Sequence, residues 1–337
     1  MNNVESTYAP GDVTVLIADR PAPEVTLHEK EARIAAGESY GHFLTPETPP
    51  SALQERTFED ALARNGTRVA GDVRRLADTL HAELGGTLTL VSLARAGTPV
   101  GAVLHRELTR RGADVTHATL SVIRGVGLDL PALARATAHR PAGSVVFVDG
   151  WTGKGSITQE LQRSLAGHAV APRLAVLSDP AGVATFTATH DDYLLPHAAL
   201  NATVSGLLSR TYLHGDAHAA TRLTHLAPFD RTRAYVDALD ALVQTTPPGS
   251  PPGAAPHAPV QTALDLARAF GARDPHKVKP SIGEATRVFL RRRPAALVLR
   301  ALTPDTAHLH ALADAHGVPV HVAAHLPYAA LALVHER

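Results

Sequence analysis

Apolar residues fall into two rhythms along this chain. Between residues 53 and 84 they recur at helical spacing (Phe58, Leu62, Val69, Val73, Leu76, Leu80), which predicts one long helix with a break near Gly66. From residue 87 onward, short unbroken apolar runs alternate with amphipathic stretches. Thr87–Leu93, Val115–Ile123, Val145–Val148 and Leu174–Leu177 read as buried strands, with helices over 99–110, 130–139 and 156–166 between them. Such alternation predicts an α/β fold, a parallel sheet with helices on both faces. Ligands of such sheets bind beyond the carboxyl ends of the strands. Arg95, Arg124 and Asp149 all fall at such ends.

The flanks are less regular. Val13–Ile17 reads as a short strand, 24–36 as a helix, 37–51 as an irregular surface crossing, and 231–243 as a helix. Residues 245–259, Thr-Thr-Pro-Pro-Gly-Ser-Pro-Pro-Gly-Ala-Ala-Pro-His-Ala-Pro, hold neither helix nor central strand and read as a semi-extended linker. They divide a first domain, 1–244, from a small α/β unit, 260–337. In that unit helices are expected over 260–270, 281–291 and 304–315, and strands over 296–299, 318–322 and 329–334. Ser156 with Gln159, and Ser281 with Glu284, have the spacing of capping boxes.

Composition narrows the chemistry. The 337 residues carry 32 basic and 32 acidic side chains, so nucleic-acid affinity has to come from a local patch. There is no cysteine, which removes disulfides, thiolate metal sites and a thiol nucleophile. No apolar run approaches the roughly 18 residues that span a bilayer, and no signal peptide is evident, so a cytoplasmic protein without membrane contact is the default. Lysine occurs only at Lys30, Lys154, Lys277 and Lys279, and three of these lie in the motifs below. No histidine pattern marks a protein-built metal site. Oligomeric state is left open, a homo-oligomer included.

The central motif is Ser144 to Thr158: an apolar strand, Asp149, the glycine-rich turn Gly150-Trp151-Thr152-Gly153-Lys154-Gly155, and a helix from Ser156. Loop amides and a helix dipole make an anion site there. The spacing is not that of a kinase P-loop, since Gly150 and Gly153 are too close and Lys154 is followed by glycine. Fifty residues upstream, Ser92-Leu93-Ala94-Arg95-Ala96-Gly97-Thr98-Pro99 joins a strand to a helix. Together the two motifs resemble the phosphoribosyltransferases of type I. That resemblance implies that Thr152, Gly153, Lys154, Gly155 and Ser156 hold the 5-phosphate of phosphoribosyl pyrophosphate (PRPP), with Asp149 on the ribose. It further implies Ala96 and Gly97 on the pyrophosphate, Arg95, Arg124 and Asp149 as the catalytic residues, and magnesium arriving with PRPP. Gly150 stands where a second acid is usual. An arginine pairing with Asp129 is the plainer reading of Arg124.

With Asn201-Ala202-Thr203-Val204-Ser205-Gly206-Leu207-Leu208-Ser209-Arg210 added, the chain resembles the StiP family over about residues 8 to 215. That family is associated with bacterial tellurium-resistance and stress gene clusters, and its members are often labelled cysteine proteases. The family cysteine aligns with Ala199, so thiol proteolysis is disfavoured. Asp192, Asn201, Ser205, Ser209 and Arg210 are then expected to line an acceptor cleft. The C-terminal unit resembles the Pelota-type RNA-binding fold through Val278-Lys279-Pro280-Ser281-Ile282-Gly283-Glu284-Ala285-Thr286-Arg287 and Gly317-Val318-Pro319-Val320. It implies RNA contacts from Lys277, Lys279, Glu284, Arg287 and Arg291. The expectation is a PRPP-dependent transferase, or the reverse phosphorolysis, with an RNA-binding module. The alternative is a non-catalytic, nucleotide-sensing RNA-binding protein.

Overall fold

A computed structural model describes residues 2–26, 29–30, 32–33, 36–292 and 294–335. Six strands form a parallel sheet: β1 (Thr14–Val15), β2 (Thr87–Leu93), β3 (Asp114–Leu120), β4 (Val145–Trp151), β5 (Leu174–Ser178) and β6 (Phe186–Thr189), in the order β1-β3-β2-β4-β5-β6. Alternate side chains of β4 feed two separate cores. Val146 and Val148 pack on one face, and Val145 and Phe147 on the other. This two-sided burial explains why the strand reads as a continuous apolar run.

The first face is covered by α1 (Ala52–Leu84), α2 (Gly97–Arg110) and α5 (Thr232–Thr245), the second by α3 (Leu130–Ala136) and α4 (Ser156–Ser164). Helix α1 starts at a complete capping box. The Ser51 hydroxyl accepts from Gln54 N at 3.3 Å, and the Gln54 side chain accepts from Ser51 N at 2.6 Å. The break expected at Gly66 does not occur. A Cβ there would meet Leu242 of α5 at 3.0 Å, so this glycine serves close helix packing rather than a bend. The strand expected over 115–123 ends at Leu120, and 122–123 pairs back on 127–128 as a hairpin that carries Arg124 in its turn. The helix expected over 24–36 falls partly on residues outside those described.

The C-terminal unit has its own four-stranded sheet of β7 (Val278–Pro280), β8 (Pro294–Leu299), β9 (Val320–Val322) and β10 (Ala330–Val334), ordered β7-β10-β8-β9. Helices α6 (Pro259–Ala269), α7 (Ile282–Arg291) and α8 (Ala307–His316) pack with it. The segment between α5 and α6 does not hang free. Arg74 and Arg75 of α1 donate to the carbonyls of Thr246 (2.6 Å) and Gly249 (2.7 Å), and Gly249 N donates to Gly71 O at 2.8 Å.

The two units share a core. One apolar cluster runs from Val148, Trp151 and Leu195 of the first into Ile282, Ala285 and Phe289 of the second. Asp192 is the polar counterpart of that seam. Its carboxylate accepts from Ile282 N at 3.0 and 3.1 Å and from Ala329 N at 2.7 Å, so it caps α7 from the other unit. Burial pushes its pKa up to about 7, against the pull of those amides.

Candidate functional site

The glycine loop sits at the carboxyl end of the sheet, where a cavity of about 260 Å³ opens between the units. Its walls are the loop after β2, the hairpin turn, the end of β4 with the loop to Ser156, and the first turn of α7 with β7. Six cations line it, Arg95, Arg124, Lys154, Arg210, Lys279 and Arg287, against two carboxylates, Asp149 and Glu284. Residues expected to serve a small ligand and residues expected to serve RNA therefore meet in one space.

Each has a local reason for its place. Asp149 lies within β4 rather than after it, accepting from Gly150 N at 2.8 Å. Burial pushes its pKa up to about 6, with the Arg287 charge pulling the other way. Gly150 is glycine because a Cβ would come within 2.9 Å of His197 Nε2. His197 fills the space that a side chain on Gly150 would take. It is buried, lies between Trp151 (5.7 Å) and Tyr235 (5.8 Å) with its ring tilted to both, and is held neutral by burial, with a pKa lowered to about 3.

Thr152 lines the cavity, but its hydroxyl is engaged away from it. Its hydroxyl donates to Asp179 Oδ1 at 2.5 Å, and Asp179 also accepts from Val183 N (3.1 Å) and Ala184 N (2.9 Å). Asp179 thus anchors the loop from below, a role the sequence reading missed although this residue directly follows β5. The capping box expected at Ser156 does not form: Gly155 is the N-cap, in left-handed geometry with φ 81°, and no side chain caps α4.

Upstream, the peptide bond Ala94–Arg95 is cis. Arg95 lines the cavity but is committed, its side chain 7% exposed, with one guanidinium nitrogen 2.6 Å from Glu47 Oε1 and another donating to Leu208 O at 2.8 Å. Gly97 packs inward, where a Cβ would stand 2.0 Å from the Val148 carbonyl oxygen. Arg124 does not pair with Asp129, whose carboxylate caps α3 at Ala132 N (2.9 Å). Arg124 instead reaches across to His276 Nδ1 at 2.9 Å.

Of the residues expected to form an acceptor cleft, Arg210 lines the cavity. Asp192 is the cap of α7 and borders a second hollow. Ser205 donates to Asn201 O (2.7 Å), and Ser209 donates to Arg210 O (2.9 Å) and accepts from Thr221 N (3.0 Å), as packing partners of their own loop. Lys277 lies outside the cavity, half-buried, and Arg291 closes α7 with a side chain outside the described residues.

The α7 side is docked, not free. Arg287 lies 4.3 Å over the Trp151 ring, and a Cβ on Gly283 would come within 2.3 Å of the same indole. The Tyr328 hydroxyl donates to Gly153 O at 2.8 Å, and Lys154 Nζ donates to Pro275 O. Lys154 and Lys279 both have pKa values lowered to about 8, chiefly by burial, with Arg124 adding to each, while Glu284 opposes. Between pH 8 and 10.5 the unfolded chain holds these two protons and the folded one does not, so folding stability gains as pH rises through that window. In urea unfolding between pH 8 and 10, this gain is expected in the wild type and absent from a Lys154→Met, Lys279→Met double variant. Equal slopes would show that the lysines are not desolvated.

Of the two cavity carboxylates, Glu284 lies 3.6 Å from Arg287, whose charge also acts on Asp149. Among the described residues no three histidine or acidic side chains gather to hold a metal ion. No described helix is long and apolar enough to cross a membrane.

A family model described as "Tellurite-like stress resistance cysteine protease StiP" matches residues 6–240, and one described as "PELOTA RNA binding domain" matches 257–336. The chain is similar to a protein of Acinetobacter baylyi (strain ATCC 33305 / BD413 / ADP1) named "Cysteine protease StiP". The two are 34% identical over 357 aligned positions, covering 97% of this chain and 93% of the relative. These names overturn the expected phosphoribosyltransferase activity: the family and the relative carry a protease name, and nothing in either points to transfer from PRPP. The resemblance behind that expectation lay in two sequence motifs, and a shared scaffold does not carry an activity with it.

The protease name meets its own obstacle here, since the chain has no cysteine. A serine–histidine pair does exist, Ser92 Oγ sharing a hydrogen bond with His117 Nε2 at 2.8 Å while Nδ1 meets Asp12 O at 2.6 Å. Ser92 is fully buried beneath Gly101, where a Cβ would stand 2.1 Å from its hydroxyl, so the pair secures α2 and offers no nucleophile. By sequence match over most of its length, and with a Pelota RNA-binding domain at its C-terminal end, the chain belongs to the StiP family.

Proposed function

We propose that this StiP-family member acts as an RNA-binding protein in stress resistance and works without a protein thiol. The observation that carries the reading is the Pelota domain over 257–336, whose β7–α7 corner gathers Lys277, Lys279 and Arg287 in a chain of zero formal net charge. Such cations take RNA phosphates, and we assign Glu284, at the start of α7, to a base edge once that face is released from the glycine loop. We read the parallel sheet with its glycine loop as a phosphoribosyltransferase-type scaffold used for binding.

Gel-shift titration of the full chain with a structured RNA tests this. Binding is expected to weaken steeply with salt. Lys277→Ala lies outside the inter-domain cavity, so it is expected to lower affinity evenly across sequences and reduce the salt slope by about 1. Absence of salt-sensitive binding to any structured RNA would refute the reading.

A further inference from the structure

Two sets of cations that sequence motifs keep apart face each other in the structure. Lys154 and Arg124 come from the first unit, Lys279 and Arg287 from the second. Among the described residues neither lysine has a carboxylate within ion-pair distance, and Arg124 meets only a histidine nitrogen. Only two carboxylates, Asp149 and Glu284, stand against these four cations, so positive charge is left over in a partly desolvated space, and an anion held between them offsets that cost. The glycine loop adds first-turn amides of α4 that no side chain caps. At about 260 Å³ the space admits a small molecule and not a folded polymer. Docking has a second consequence. Gly283 presses on Trp151, the Glu284 side chain lies against Gly153, and Arg287 covers the indole. The start of α7 is thereby withdrawn from any RNA.

We infer that the inter-domain cavity is a clamp for a small phosphorylated ligand, built by both units, and that closing it hides the RNA-contacting start of α7. The clamp stands on the geometry alone, whereas the competition with RNA rests on the proposed RNA binding. Trp151 is the one tryptophan of the chain and lines the cavity, so it reports occupancy directly.

Inorganic phosphate, titrated into the full-length protein at ionic strength held constant with chloride, should change Trp151 fluorescence saturably. Lys154→Ala and Lys279→Ala should each weaken that response about tenfold. No saturable change overturns the clamp, and a response that Lys279→Ala leaves intact overturns its two-unit construction. In the RNA arm, Asp192→Ala, which releases the cap on α7, should bind RNA at least fivefold tighter than wild type and lose the antagonism by phosphate. Gly283→Ala opens the same seam should Asp192→Ala fail to fold. Equal RNA affinity of wild type and opened variants overturns the competition while RNA binding stands. RNA binding by none of them overturns the proposed function and the competition with it, while the fluorescence titration still decides the clamp.

Discussion

Gly283→Ala is expected to lift the C-terminal unit from the glycine loop while both sheets remain folded. The new methyl would stand 2.3 Å from Trp151 Cε2 and 2.6 Å from Nε1. The indole has nowhere to retreat, since it belongs to β4, is paired with Ser178 on β5, and is backed by His197. Relief must therefore come from α7, the more easily displaced partner. The contacts that fail with it are the Arg287 stacking, the Tyr328 hydrogen bond to Gly153 and the capping of α7 by Asp192. Scattering should show a larger radius of gyration, and Trp151 emission should shift to the red, with secondary structure by circular dichroism unchanged. An unchanged radius and emission would show that docking does not depend on this contact.

Gly97→Ala is expected to be the most damaging single-methyl change, costing about 3 kcal/mol of stability or more. Its Cβ would meet the Val148 carbonyl oxygen at 2.0 Å and the carbonyl carbon at 2.9 Å. That backbone lies in β4, held by β2 on one side and β5 on the other, and cannot yield without breaking a ladder. Gly153→Ala is the matched control. There the methyl meets Glu284 Cγ at 3.0 Å, part of a side chain that can swing aside, and the Pro280 carbonyl oxygen only at 3.3 Å. Urea unfolding of the two variants makes the comparison. A Gly97→Ala midpoint no lower than that of Gly153→Ala would show that the α2–β4 approach is looser than drawn.

Much of the framework was legible in the chain because its signals are local. Unbroken apolar runs marked β2, β4 and β5 as strands buried on both faces, and helical spacing marked α1. Where local signals misled, a neighbour distant in sequence had decided the matter. Gly66 looked like a helix break and is a packing site for Leu242. Ser156 looked like a cap, yet Gly155 holds that position. Thr152 looked like a phosphate ligand and is taken by Asp179, while Arg95 looked like an open fork and is held by Glu47. Residue type and spacing say which groups are able to hold an anion, but not which already have partners.

The sequence by itself determined the parallel sheet, the loop at the end of β4, the separate C-terminal unit and the absence of thiol chemistry. Each follows from periodicity, turn residues or composition. Only the tertiary structure decided what surrounds the glycine loop. His197 packs against Gly150, whose missing Cβ leaves room for it. The loop's far wall is the start of α7, brought there by an apolar seam and the Asp192 cap. Those contacts join positions more than eighty residues apart, and no local pattern encodes them. They make the loop one half of a cleft whose other half is the first turn of α7.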